Sequence, residues 1–230
     1  EFEGDGRDRF TVGCVGPGTK LPSLGHIDYD TLEDDYVAQC DGLIAGGIDG
    51  LLLCTCQDPL QLKAAINGAE RSRRKAGTDT PSLVMVTVET TGSMLVGTDI
   101  AAVSAIVGAF DVPLIGLNCA TGPQEMEPHV AWLSEYWPGL IGIRPNAGLP
   151  ELFEGRTRYP LTPEEMADWQ GRVIDKYGTS LIGGCCGAND AHVAAMDAML
   201  RQRAGNGARR VVPGPRTRHQ VPSLASLYTP

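Results

Sequence analysis

Three cysteines occupy positions where a metal could use them. Cys119 lies in Gly116-Leu117-Asn118-Cys119-Ala120-Thr121-Gly122-Pro123, at the end of a short apolar run and just before a turn. Cys185 and Cys186 hold the same place after another such run, in Gly183-Gly184-Cys185-Cys186-Gly187. Thiolate sulfur suits Zn2+, which takes tetrahedral sulfur or nitrogen coordination with Zn–S bonds of about 2.3 Å. Adjacent cysteines can both ligate only where the backbone turns sharply between them, and the flanking glycines permit that turn. Three protein ligands leave the fourth corner to a non-protein donor, the mark of a catalytic rather than a closed structural zinc. A competing reading makes these small buried thiols, which suits one strand-end cysteine better than three. A phosphate-cradling loop would explain the glycines, but no Gly-Lys-Ser/Thr follows and the thiols would have no task.

The other titratable residues narrow the chemistry. Of four histidines, His26 falls in a loop, His129 and His192 on helical stretches, and His219 near the C-terminal end. None falls at a strand end, so a Cys–His nucleophile is poorly supported. Cys14 and Cys40 read as core or near-core thiols. Seven cysteines, an odd number, follow an N-terminus without a signal-peptide pattern. They read as intracellular thiols or metal ligands, and the expected location is cytoplasmic. The net charge of −9 lacks the basic face that a nucleic-acid surface needs. No apolar stretch approaches the ~20 residues of a membrane span.

The cysteines need rigid elements to bring them together. The 230 residues suffice for one large α/β domain or two small ones, with apolar and charged shares of 42% and 20%, as in ordinary globular proteins. Short, nearly continuous apolar runs predict strands at Phe10–Val15, Gly50–Cys56, Ser82–Glu89, Pro113–Cys119, Leu140–Arg144 and Ser180–Gly184. Amphipathic stretches predict helices at Thr31–Ala45, Asp58–Lys75, Thr98–Phe110, Gln124–Tyr136, Thr162–Tyr177 and Asn189–Arg203. Thr162-Pro163-Glu164-Glu165 carries a capping residue, proline in the first turn and acids at the positive end of the dipole. Repeated strand–helix alternation implies right-handed parallel units, in an open doubly wound sheet or most of a (β/α)8 barrel. In a barrel the fourth and sixth of these strands point side chains into one layer. Cys119 and the Cys185–Cys186 pair can then converge at the C-terminal mouth. From Ala204 the sequence is rich in Gly, Pro, Arg and Ser without a period. From Arg201 onward it holds six arginines and no acid, which reads as a solvated tail or linker, with a docking segment for an acidic neighbouring domain as the alternative.

These motifs resemble the homocysteine S-methyltransferase family, whose members carry a strand-end Asn-Cys and a Gly-Gly-Cys-Cys-Gly. Val15 to His26, Thr87-Val88-Glu89-Thr90-Thr91-Gly92, Gly116 to Pro123 and Pro145-Asn146-Ala147-Gly148-Leu149-Pro150 are similar to its cobalamin-dependent branch. Pro222 to Tyr228 resembles a linker that leads into a folate-binding domain. The resemblance implies an α/β fold of the (β/α)8 TIM-barrel type, here lacking the first two strands, over residues 1–203. Residues 204–230 become a linker toward a folate-binding domain. It further implies zinc held by Cys119, Cys185 and Cys186, with L-homocysteine as methyl acceptor. Methylcobalamin on another domain or chain is the donor, since nothing in the sequence resembles a cobalamin- or folate-binding segment. Asn118, Thr55, Glu89 and Asn146 are the substrate-binding candidates. Asn146 has a turn-forming alternative. Cys54 stands where relatives have a glutamate for the amino group of homocysteine; a thiol cannot make the same charge-assisted bond. Glu89 is the candidate substitute, and Cys54 reads as a buried thiol ahead of a fourth ligand. The alternatives are a noncatalytic zinc-holding barrel and a betaine or S-methylmethionine donor.

Overall fold

The computed structural model describes residues 8–205. Strands β1 (Val12–Val15), β2 (Gly50–Cys56), β3 (Ser82–Val86), β4 (Leu114–Asn118), β5 (Leu140–Arg144) and β8 (Leu181–Ile182) form one parallel sheet in that order. Between them run helices α1 (Tyr29–Ala45), α2 (Pro59–Ala76), α3 (Ile100–Val107), α4 (Pro123–Tyr136) and α5 (Pro163–Tyr177); α6 (Asp190–Gly205) follows β8. Each strand pairs with the next in sequence along the sheet, whereas a doubly wound sheet reverses direction part-way.

The two faces of the sheet also differ. Leu51, Leu53, Val84, Val86, Ile115, Leu117, Ile141 and Ile143 pack with residues of the helices in the main core. The opposite face carries a separate, smaller cluster of Leu52, Cys54 and Met85, with Leu83 and Leu181, all from strands. Helices on one face and a strand-lined interior on the other make this an arc of a (β/α)8 barrel, and the doubly wound alternative falls away. Burial of each large aliphatic side chain in that core contributes about 1.5–3 kcal/mol.

Helix starts follow their local signals. Asp28, Asp58 and Asp99 accept backbone N–H bonds at the starts of α1, α2 and α3. At α5 the Thr162 hydroxyl accepts from Glu165 N, and the Glu165 carboxylate accepts from Thr162 N at 2.9 Å.

Several boundaries differ from the sequence reading. β3 ends at Val86, because Glu89 enters a turn whose N–H bonds Ser93 and whose carbonyl accepts from Gly92. An antiparallel hairpin, β6 (Glu151–Phe153) with β7 (Arg156–Arg158), rises between β5 and α5 and was not predicted. Both its strands are exposed, so it carries no apolar period to read. Cys14 is exposed rather than near-core: β1 turns Gly13 and Val15 towards the buried side, and Cys14 faces the other way on an edge strand. α6 continues through Gly205, two residues past its predicted end at Arg203, and the rest of 204–230 lies outside the described residues. No helix among the described residues is long and apolar enough to cross a membrane.

Candidate metal centre

Cys119 follows β4 directly, with φ of 61°, and Ala120 continues at 57°. Two successive non-glycine residues in the left-handed region cost about 1–3 kcal/mol each, a strain that the surrounding bonds must hold in place. Cys119 N donates to the Arg144 carbonyl at 3.1 Å, and Thr121 N donates to the Cys119 carbonyl at 2.7 Å. The chain is thereby turned out of the sheet as it leaves β4.

Cys185 and Cys186 reach the same place from β8. The Cys185 carbonyl accepts from Ala188 N at 3.1 Å, closing a turn in which Gly187 has φ of 80°. A Cβ on Gly187 would stand 2.3 Å from Cγ of Tyr159, so the glycine serves both the turn and a ring packed against it. Cys185 N donates to the Pro145 carbonyl at 2.8 Å, and Cys186 N to Asn146 Oδ1 at 3.1 Å. The segment after β5 thus positions both thiols.

The three Sγ atoms lie within 4.8 Å of one another, with Cys119 and Cys186 3.5 Å apart. Tetrahedral zinc with bonds of about 2.3 Å separates its sulfurs by about 3.8 Å, so the donor set and spacing fit that metal. Among the described residues no fourth Cys, His, Asp or Glu joins the group. Cys54 remains a buried thiol outside it.

The electrostatics of the cluster are uneven. Hydrogen bonding from the Cys119 thiol pulls Cys185 down to about 5 against the cost of burial, aided by Asn118, the Cys186 N–H and the Arg144 charge. Cys119, the donor in that contact and partly buried, is pushed up in turn. One thiolate shared by its neighbours is the arrangement a cation would complete.

The sequence candidates for substrate binding separate in space. Asn118 is buried and bonded to Thr55 twice: it accepts from Thr55 N at 3.0 Å and donates to Thr55 Oγ1 at 2.9 Å. Its amide also donates to Cys185 Sγ at 3.8 Å. Thr55 itself sits at φ of 62° where the β2–β3 register shifts, a strained setting for a β-branched residue. Asn146 is buried, with its side-chain oxygen on the Cys186 N–H. Glu89 is half-buried, and its carboxylate makes no hydrogen bond or ion pair among the described residues.

The family model for homocysteine S-methyltransferase matches residues 1–200. The chain belongs to that family. Two relatives named methionine synthase are similar along nearly all of it: one from Mycobacterium leprae (strain TN), 45% identical over 96% of the chain, and one from Mycobacterium tuberculosis (strain ATCC 25618 / H37Rv), 43% identical over 97%. The chain spans 18% of the length of each. Among solved structures, the apo form of the homocysteine methyltransferase MmuM from Escherichia coli aligns with a TM-score of 0.66 at 20% identity. It covers 83% of this chain and 63% of that one. The metallated form of MmuM aligns at 0.62 and 18%, over 82% and 60%. At these identities the likeness is one of fold.

Within this homocysteine S-methyltransferase barrel, two residues at the mouth went unnoticed in the sequence. Tyr159, past the hairpin, lies against Gly187; burial and then the neighbouring Cys186 push its phenol up. Nothing in the sequence pattern marks it. Arg144 ends β5 and donates from Nε to the Gly184 carbonyl at 3.3 Å. Its signal was available, because a charge closing an apolar strand on the C-terminal side is where barrel function gathers.

Proposed function

We propose that this chain forms the homocysteine-activating barrel of a methionine synthase, with zinc held by Cys119, Cys185 and Cys186. The methyl group comes from methylcobalamin carried on another domain or chain. The observation that carries the reading is the meeting of three thiols, from two stretches of chain, at the C-terminal mouth of a barrel of this family. Zinc, when bound, supplies a Lewis acid that lets an incoming thiol lose its proton near neutral pH.

The chain's own groups do the rest. Asn118 orients the Cys185 sulfur through its amide, and the paired bonds to Thr55 hold Asn118 in that orientation. Asn146 fixes the Cys186 backbone, and Thr55 and Glu89 are the remaining candidates for contact with the substrate. Cys119, Cys185 and Cys186 as thiolates would place negative charge around a bound zinc, which would leave an acceptor sulfur the electron density needed to attack a methyl group. The chain beyond α6 leads toward the folate-binding and donor-carrying parts, in keeping with its match to 18% of the methionine synthase relatives.

The test is proton release. The zinc-loaded protein should release about one proton per homocysteine bound at neutral pH, and Cys119→Ala should abolish the release. Stoichiometric zinc with homocysteine binding and no proton release would mark a barrel that holds metal without activating substrate.

A further inference from the structure

Arg144 ends β5 beside the thiol cluster, and the proposed chemistry gives its charge no task. β5 alternates: Ile141 and Ile143 lie in the helix-side core, whereas a Cβ on Gly142 would approach Met85 and Leu181 of the strand-lined interior. Arg144, two residues on from Gly142, therefore starts on the interior side. Its stem lies along Gly183, where a Cβ would come within 3.3 Å of Arg144 Cγ and 3.6 Å of Nε. Glycine at 183 leaves room for the stem there.

Among the described residues, Nε is the one donor of that guanidinium with an acceptor, the Gly184 carbonyl. Among the described residues Arg144 makes no ion pair, and its terminal nitrogens have no acceptor. Gly184 directly precedes Cys185, and the Arg144 carbonyl accepts from Cys119 N at 3.1 Å, so the arginine borders the thiol cluster on both sides. A half-buried guanidinium with its fork free is a ready partner for a planar carboxylate.

We infer that Arg144 receives the α-carboxylate of the amino-acid substrate while the substrate sulfur reaches the thiol cluster. The inference rests on the reading of homocysteine as acceptor. It makes Arg144 the residue that distinguishes an amino-acid thiol from an uncharged or purely cationic one. Cys54, the neighbouring wall residue, is neutral and offers the carboxylate no competitor.

The experiment compares three thiols by calorimetry on the zinc-loaded full chain. They are homocysteine, mercaptobutyrate, which keeps the carboxylate and lacks the ammonium, and aminopropanethiol, which lacks the carboxylate. Arg144→Gln should weaken homocysteine and mercaptobutyrate by about 10- to 100-fold, the worth of hydrogen bonds to a charged group, and leave aminopropanethiol within about threefold. Arg144→Lys should restore part of the loss, and zinc content should stay at the wild-type level in both variants. An equal loss for all three thiols, a loss that follows zinc, or no loss would overturn the role of Arg144. If the wild-type protein binds none of the three, the reading of homocysteine as acceptor fails first.

Discussion

Cys40 and Cys56 are enclosed by aliphatic side chains between the sheet and its helices, whereas Cys119, Cys185 and Cys186 meet over the ends of strands. Burial pushes Cys40 up to about 11 and Cys56 up to about 12, which keeps both as inert, protonated thiols. At the mouth the same group meets hydrogen-bond donors and a guanidinium, and Cys185 is drawn down to about 5. The side chain is constant; polar neighbours and backbone turns separate a thiol fit to hold a metal from a filler of space.

The strongest way to break this contrast is to remove a mouth thiol. Cys185→Ser should weaken zinc binding by at least about 100-fold, beyond the 10- to 100-fold that an orienting neighbour is worth. In the intact protein Cys119, pushed up by its bond to Cys185 and by burial, keeps its proton through neutral pH and would have to surrender it to a metal. Acid therefore competes with zinc, and affinity should rise at least about tenfold per pH unit between pH 6 and 8. Chelator competition across that range reads both effects, and a flat profile would place the metal elsewhere.

A smaller effect sharpens the same contrast. Asn118→Ala removes the amide bond to Cys185 and both bonds to Thr55 but no ligand, and should cost about tenfold in zinc affinity. The smallest belongs to the wall. Cys40→Ala should leave zinc stoichiometry unchanged and cost about 1 kcal/mol in urea unfolding at pH 7. Because the folded-state pKa of Cys40 lies above its unfolded value of about 8.5, its contribution is complete below that pH and is lost as pH rises towards 11. The gap between wild type and Cys40→Ala should therefore narrow from pH 7 to pH 10.

Much of this was legible in the residues. Parallel strands covered by helices need unbroken apolar runs, so β2, β4 and β5 stood out, and Gly-Gly-Cys-Cys-Gly after β8 announced a turn with thiols on it. What escaped has physical reasons too. The exposed hairpin buries no face and so leaves no period, and Tyr159 reaches the thiols only through the path that hairpin takes. Asn146 could be read as a turn former or a substrate ligand; its bond to Cys186 N spans 40 residues, which no local pattern encodes.

The 67 positions that separate Cys119 from Cys186 give the centre a mechanical meaning as well. A metal gripping both would close a loop containing α4, β5, the hairpin, α5 and β8. Closure of a loop that long removes roughly 4 kcal/mol of freedom from the unfolded chain. The sulfurs would then act as a clasp on the last third of the barrel, and a chelator would loosen α5 and α6 while stopping the chemistry.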